Sequence, residues 1–142
     1  MLTQQARPMG VYLLMACLLF QGLSAIAGGI ALVGDPSGGN LPIPLSLLEG
    51  SPFDDYLIPG LILLVVLGIC PMVVLFGLWT RQYWGWISAL LVGLALMGWI
   101  VVQVIIIGYS SQPPLQLIYG LLGVVIVILA LLPGVRGYYA TR

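Results

Sequence analysis

The chain has 142 residues, of which 61% are hydrophobic and only 6% are charged, and its formal net charge is zero. Soluble domains carry about 25% charged residues, so these few charged side chains do not suffice to cover a water-facing surface. A mean hydropathy of +1.18 therefore indicates a chain that lies in lipid. The four basic residues form no cluster typical of nucleic-acid binding, and the lack of His removes the commonest general base.

Four apolar runs follow one another along the chain. Runs of about 20 such residues predict membrane-crossing helices, because backbone polar groups in lipid must be satisfied within the segment itself. We predict helices over residues 11–33, 56–79, 84–108 and 114–132. The fold expected is all-α, a single transmembrane domain over residues 1–142 built as a four-helix bundle, with a longer acidic loop between the first two helices.

The first span has one feature of a cleavable signal peptide. Ala25-Ile26-Ala27 before Gly28 resembles a small-x-small processing site. The apolar run continues to Val33, which is long enough to cross a membrane, so we expect a retained span.

The first span also carries small and polar residues on one helical face. These residues recur at helical spacing: Cys17, Gln21, Ser24 and Gly28. Small residues let helix backbones approach closely and amides hydrogen-bond between helices, so we expect this face to point into the bundle or at a partner. The alternative is a ligand-lining face, which Trp99 and Gln103 of the third span would join.

Two prolines, Pro59 and Pro71, fall in the second span. Each removes a backbone donor and favours a kink. We interpret the kinks as part of helix packing, with a hinge for gating as the alternative.

The charges are divided between the two sides of the predicted bundle. All four acidic residues lie in the first loop: Asp35, Glu49, Asp54 and Asp55. The basic residues lie in the N-terminal tail, the second loop and the C-terminal tail: Arg7, Arg81, Arg136 and Arg142. Because Arg and Lys in short loops stay cytoplasmic, both termini are expected inside the cell.

Acids of this loop and residues of the fourth span form a candidate polar cluster on the outer side. Its members would be Glu49, Asp54, Asp55, Gln116 and Tyr119. Carboxylates bind hard cations, but acids are also favoured in the first turn of a helix. The local interpretation explains Asp54 and Asp55 without a ligand, and we predict no metal site.

Four short segments resemble those of small four-span bacterial membrane proteins that have no assigned activity. They are Gly28-Gly29-Ile30-Ala31-Leu32 with Asp35-Pro36-Ser37-Gly38, Leu45-Ser46-Leu47-Leu48-Glu49-Gly50-Ser51-Pro52-Phe53, and Leu57-Ile58-Pro59-Gly60. The likeness covers the first two spans and their loop. It implies the bacterial inner membrane and this topology, and no substrate.

No motif predicts catalytic, cofactor-binding or metal-binding residues. We therefore expect a non-enzymatic accessory or structural protein that acts through helix packing, with the lipid bilayer and a homo-oligomer or larger membrane complex as partners. The alternative is binding or transport of a small molecule or lipid through a bundle cavity open to the outer side.

Overall fold

The computed structural model describes residues 6–37, 52, 54–107 and 115–140, and its elements there are all helical. They are α1 (Met9–Gly34), α2 (Leu57–Leu64), a π-helical segment (Val65–Ile69), α3 (Cys70–Trp79), α4 (Tyr83–Ile107), α5 (Leu115–Leu131) and α6 (Pro133–Ala140). The predicted all-α class is confirmed for this part of the chain.

Three helical stretches are long and apolar enough to cross a membrane: Met9–Gly34, Leu57–Trp79 and Tyr83–Ile105. A fourth span is present if α5 and α6, which meet at an angle of 58°, count as one broken crossing. The protein thus has three or four candidate spans, at positions close to those predicted from the sequence.

The second span lies at Leu57–Trp79, close to the predicted residues 56–79, and its helix changes hydrogen-bond register in the middle. It is divided into α2, the π-helical segment and α3, and the Cys70 N–H bonds to the Val65 carbonyl five residues earlier. Pro71 follows at once, and a proline inside a helix removes one backbone donor. Pro59 lies in the first turn of α2, where helical N–H groups lack partners in any case.

The fourth predicted helix, 114–132, agrees with α5, but the segment after it, which the sequence analysis treated as a tail, forms α6. Pro133 has no N–H, so it ends α5 and takes the first position of α6, where proline is favoured. The break removes the ordinary helical partner of the Ala130 carbonyl. The Trp86 indole of α4 donates to that carbonyl instead, at 2.7 Å.

The helices approach closely where glycines face them. A Cβ built on Gly29 of α1 would lie 2.7 Å from the Leu64 Cα, and one on Gly60 of α2 would lie 2.7 Å from the Leu32 Cβ. Gly93 of α4 and Gly123 of α5 also face each other. A Cβ built on either glycine would lie 3.1 Å from the carbonyl oxygen of the other. Glycine at such positions lets membrane helices pack backbone to backbone.

Large apolar side chains cover the outside of the molecule as well as its core. The core holds Leu14, Leu18 and Leu96, which are at most 1% exposed. On the outside, Ile105 is 76% and Phe76 63% exposed, and further exposed aliphatic side chains line every long helix. A continuous apolar surface of this kind is typical of contact with lipid tails, because the tails are as apolar as the side chains and their contact carries no free-energy penalty.

Candidate functional site

A polar contact between α1 and the π-helical segment lies in the middle of the apolar core. In a regular helix the N–H of residue 71 would bond to the Leu67 carbonyl, but residue 71 is proline. The Gln21 side chain of α1 takes that place, because its Nε2 donates to the Leu67 oxygen at 3.1 Å. Gln21 is only 1% exposed. The two spans are therefore joined at a backbone carbonyl of the π-helical segment, four residues before Pro71.

The other end of the Gln21 amide is left unsatisfied within the described part of the chain. Its Oε1 is buried and has no hydrogen-bond partner there. Turning the amide over would place this oxygen against the Leu67 carbonyl oxygen, so the hydrogen bond fixes its orientation. A buried acceptor without a donor carries a free-energy cost of about 1–3 kcal/mol.

Two glycines bring α1 close enough for this contact. A Cβ on Gly22 would lie 2.6 Å from the Met72 Sδ, and a Cβ on Gly68 would lie 3.0 Å from the Ile26 nitrogen. A larger residue at either position would push the π-helical segment away from α1. The sequence analysis selected Gln21, but the role of Leu67 depends on a neighbour 46 residues away and has no local signal.

The remaining residues of the predicted α1 face are less buried than Gln21. Cys17, Ser24 and Gly28 are half-buried, and the Ser24 hydroxyl donates to carbonyls of its own helix. The buried face of α1 is turned toward neighbouring positions: Leu14, Leu18, Gly22, Ala25, Gly29 and Leu32. Small residues do meet the second span, but they are mainly those one position away from the predicted ones.

Trp99 and Gln103 of α4 lie apart from the Gln21 contact. Trp99 packs against the core while partly exposed, and Gln103 is half-buried. No hydrogen bond of Gln103's side chain occurs among the described residues, and Gln21 bonds only to Leu67.

The members of the predicted outer polar cluster have separate surroundings. Glu49 lies outside the described residues, and Asp54 is exposed. The Asp55 Oδ1 accepts from the Leu57 N–H at 3.0 Å, so Asp55 lies just before α2 and not in its first turn, where the sequence analysis had placed it. Tyr119 stacks on Phe20 of α1 at 6.0 Å between ring centroids. Gln116 is buried.

No group of three or more potential metal ligands occurs within residues 6–37, 54–107 and 115–140. Two of the acids in these residues, Asp35 and Asp55, accept hydrogen bonds from backbone N–H groups near them. The Asp35 Oδ1, for example, accepts from the backbone N–H and the hydroxyl of Ser37.

A second polar region, here called the arginine end, joins residues before α1, the turn after α3 and α6. Helix α3 ends with the Gln82 N–H bonded to the Gly77 carbonyl and the Arg81 N–H bonded to the Leu78 carbonyl. These are the two bonds of a Schellman motif, whose left-handed position normally holds glycine. Arg81 occupies it with φ 57°.

The Arg81 side chain explains why an arginine is tolerated at that position. Its Nε and Nη2 donate to the Tyr138 carbonyl at 3.2 and 3.1 Å, and its guanidinium carbon lies 4.3 Å from the centre of the Tyr138 ring. Hydrogen bonds to a charged donor contribute about 1.5–3 kcal/mol, which offsets a left-handed backbone cost of about 1–2 kcal/mol.

Arg7 attaches to the same region from the other side of Tyr138. Its Nε donates to the Tyr138 hydroxyl at 3.3 Å and its Nη2 to the Trp79 carbonyl, while its guanidinium carbon lies 4.3 Å from the centre of the Trp79 ring. Stacking on an aromatic face and directed hydrogen bonds hold the guanidinium in one orientation.

Tyr139 completes the arginine end from within. Its hydroxyl is buried and donates to the Leu78 carbonyl at 2.9 Å.

The charges of the described chain fall at two opposite ends. Arg7, Arg81 and Arg136 belong to the arginine end. The acids Asp35, Asp54 and Asp55 belong to the other, here called the acidic end, where the Tyr56 N–H bonds to the Pro36 carbonyl. Helix α1 connects the two ends over 26 residues, which corresponds to about 39 Å.

Two open apolar grooves run along the outside of the helices. One, of about 470 Å³, lies between α1 and α3 next to the arginine end, and its lining includes Tyr12, Ala16, Phe76 and Trp79. The other, of about 260 Å³, lies between α4 and α5 and includes Gln116. Neither groove is lined by Gln21, Trp99 or Gln103, the residues proposed from the sequence as a ligand-lining set.

The fold and the site of the described residues define a helical, multi-pass type of membrane protein. Its polar groups make contacts between helices in the core and contacts between arginine and aromatic side chains at one end. Comparison of the chain with protein-family models, curated proteins and solved structures finds no match.

Proposed function

We propose that the chain is a four-helix transmembrane bundle of the bacterial inner membrane, with the arginine end in the cytoplasm. Contacts of α1 with the second span and α5, and of α4 with α3 and α5, support a closed arrangement of four helices. The separation of Arg7, Arg81 and Arg136 from the described acids supports the orientation, because basic loops stay cytoplasmic. The resemblance of the first two spans to small bacterial membrane proteins supports the location.

Within that membrane we propose a non-enzymatic accessory protein that acts by packing one of its helices against another membrane helix. The observation that carries this proposal is the outward face of α4. Only 22% of the α4 span is buried, against 33% for each of the first two spans. In the middle of its exposed face, Gly98 has no atom within 4 Å of a Cβ built on it.

The composition of this face suits helix association. Ala95 and Gly98 are exposed one helical turn apart, and large apolar side chains such as Leu91 and Val102 flank them. Small residues let two backbones approach, and flanking aliphatic side chains then interdigitate. Gly22, Gly29, Gly93 and Gly123 are already occupied by contacts inside the protein, whereas Gly98 is open. We name the partner as a second copy of this chain, or a helix of a larger complex.

The experiment is crosslinking in native membranes, with a photoreactive residue at Leu94 beside the proposed face. We expect a defined crosslinked product, and we expect Gly98→Ile to abolish it by keeping the backbones apart. Ala27→Ile is the matched control, since Ala27 is an exposed small residue on α1. A chain that gives no product, or a product that survives Gly98→Ile, contradicts the proposal.

Lipid binding is the second candidate function, and the groove of about 470 Å³ between α1 and α3 favours it. This groove adjoins the arginine end, whereas the sequence had suggested a cavity open to the outer side. The groove near Gln116 lies nearer the acidic end and is smaller.

A further inference from the structure

The groove between α1 and α3 ends at a fixed positive charge. Trp79 lines the groove, and the Arg7 guanidinium stacks on the Trp79 ring and donates to the Trp79 carbonyl. Tyr12 lines the groove from α1, little more than one helical turn beyond Arg7. An apolar channel at lipid depth and a cation at the membrane surface therefore adjoin one another.

Arg7 has no carboxylate partner among the residues that the structure describes. The described acids lie at the acidic end, about 39 Å away along α1. Its Nε and Nη2 bond to neutral groups, while the Nη1 amino group makes no hydrogen bond within the described chain. The positive charge is thus held in place by neutral partners and keeps two N–H groups for an anion.

The shape of the groove suits one acyl chain. From Tyr12 to Leu19, its lining on α1 extends over seven residues, or about 10 Å along the helix. Met72, Phe76 and Trp79 form the opposite wall, and the exposed Ala16 leaves room between them. Polar atoms contribute almost nothing to this lining, so the groove offers no partner for a polar tail.

We propose that Arg7 and this groove form a binding site for an anionic phospholipid. The lipid phosphate lies against the free Nη1 side of the Arg7 guanidinium, and one acyl chain lies between α1 and α3. Arginine binds phosphate through charge-assisted hydrogen bonds, and the contacts to Trp79 and Tyr138 fix the guanidinium beforehand, which lowers the entropy lost on binding. The proposal deepens the lipid-binding candidate above and rests on residence in a membrane.

Native mass spectrometry of the purified protein in mild detergent tests this site. The probes are phosphatidylglycerol and phosphatidylcholine with identical acyl chains. We expect the wild type to retain phosphatidylglycerol in preference. Arg7→Gln should weaken that retention about fivefold or more, the effect of one basic residue near an anionic lipid. Arg136→Gln is the matched control, because it removes an equal charge from an exposed residue of α6, and it should change retention less than about twofold.

A second pair of variants tests the groove without altering charge. Ala16→Phe fills the groove and should lower phosphatidylglycerol retention, whereas Ala27→Phe on another exposed part of α1 should not. Circular dichroism establishes that each variant is folded, and the Ala16 pair decides the question if Arg7→Gln does not fold.

Three results would overturn the lipid site. They are equal retention of the two lipids, equal losses in Arg7→Gln and Arg136→Gln, and a dimer that Ala16→Phe separates, since the groove would then hold a second copy of the chain. Lipid retention in detergent depends neither on which side of the membrane the arginine end faces nor on association through Gly98. Failure of this site is therefore distinguishable from failure of the proposed function.

Discussion

The contact between Gln21 and the Leu67 carbonyl gives a prediction in which the effect of one residue depends on another. In the wild type, Gln21 leaves one buried acceptor unsatisfied, its own Oε1. Gln21→Met removes that acceptor but leaves the Leu67 carbonyl without a donor, so the two penalties are similar and cancel. What remains is the lost hydrogen bond, and membrane hydrogen bonds contribute about 0.6–1.7 kcal/mol. We expect Gln21→Met to destabilise the protein by about 1 kcal/mol.

The same substitution should behave differently when residue 71 has an N–H. We expect the new backbone N–H of Pro71→Ala, four residues after Leu67, to satisfy the Leu67 carbonyl in the α-helical register of α3, so that Gln21→Met removes one unsatisfied acceptor and creates none. Its cost should fall to about zero or become a gain, which gives a coupling free energy of about 1–3 kcal/mol between the two positions. Pro59→Ala is the control, because Pro59 lies in the first turn of α2 and the Gln21 amide bonds at Leu67 instead.

Reversible unfolding in mixed detergent micelles, followed by tryptophan fluorescence, measures all the variants of this double-mutant cycle. The Gln21 and Pro59 substitutions should be additive within about 0.5 kcal/mol. The reasoning is refuted if the Gln21 and Pro71 substitutions are additive to the same degree, since Gln21 would then not substitute for the donor that Pro71 lacks.

Two further predictions concern packing and the arginine end. Gly29→Ala should lower the free energy of unfolding by about 1–3 kcal/mol, because its Cβ would lie 2.7 Å from the Leu64 backbone. In the same unfolding assay, Gly98→Ala should be neutral or slightly stabilising. Equal effects of the two substitutions would refute the close approach of α1 and α2. Tyr139→Phe should cost about 1 kcal/mol by removing the donor to the Leu78 carbonyl, and Tyr83→Phe, whose ring is 50% exposed, should change stability by less than about 0.5 kcal/mol.

The positions of the spans were predictable because apolar runs alone determine them. Residues 84–108 were predicted as a helix and Tyr83–Ile107 form one, since no proline or charge interrupts that run. The bend after α5 was not predicted, because the residues after 132 were treated as a tail. Pro133 instead begins a helix, and Val135, Tyr138 and Tyr139 beyond it supply a buried face.

The rotation of α1 was harder to predict for a physical reason. A helix that is apolar on all sides gives little indication of which side is buried, so small residues were used instead, and Ser24 and Gly28 were favoured over Gly22 and Gly29. Gln21 was singled out as a membrane amide, but its acceptor, the Leu67 carbonyl, belongs to the π-helical segment, which the sequence did not predict. The contacts of Arg7 with Trp79 and Tyr138 likewise join distant parts of the chain. The sequence alone indicated only that these parts lie on the same side of the membrane.

The orientation of the two ends underlies the account, and cysteine labelling in intact bacterial cells measures it most directly. Single cysteines would be placed at Ser37, near the acidic end, and at Gln82, in the turn beside Arg81, after Cys17 and Cys70 are changed to Ala. With a membrane-impermeant maleimide, Ser37→Cys should react in intact cells and Gln82→Cys only after permeabilisation. Reaction of Gln82→Cys in intact cells with protection of Ser37→Cys would contradict the orientation, and reaction of both in intact cells would contradict the crossing of the membrane between them.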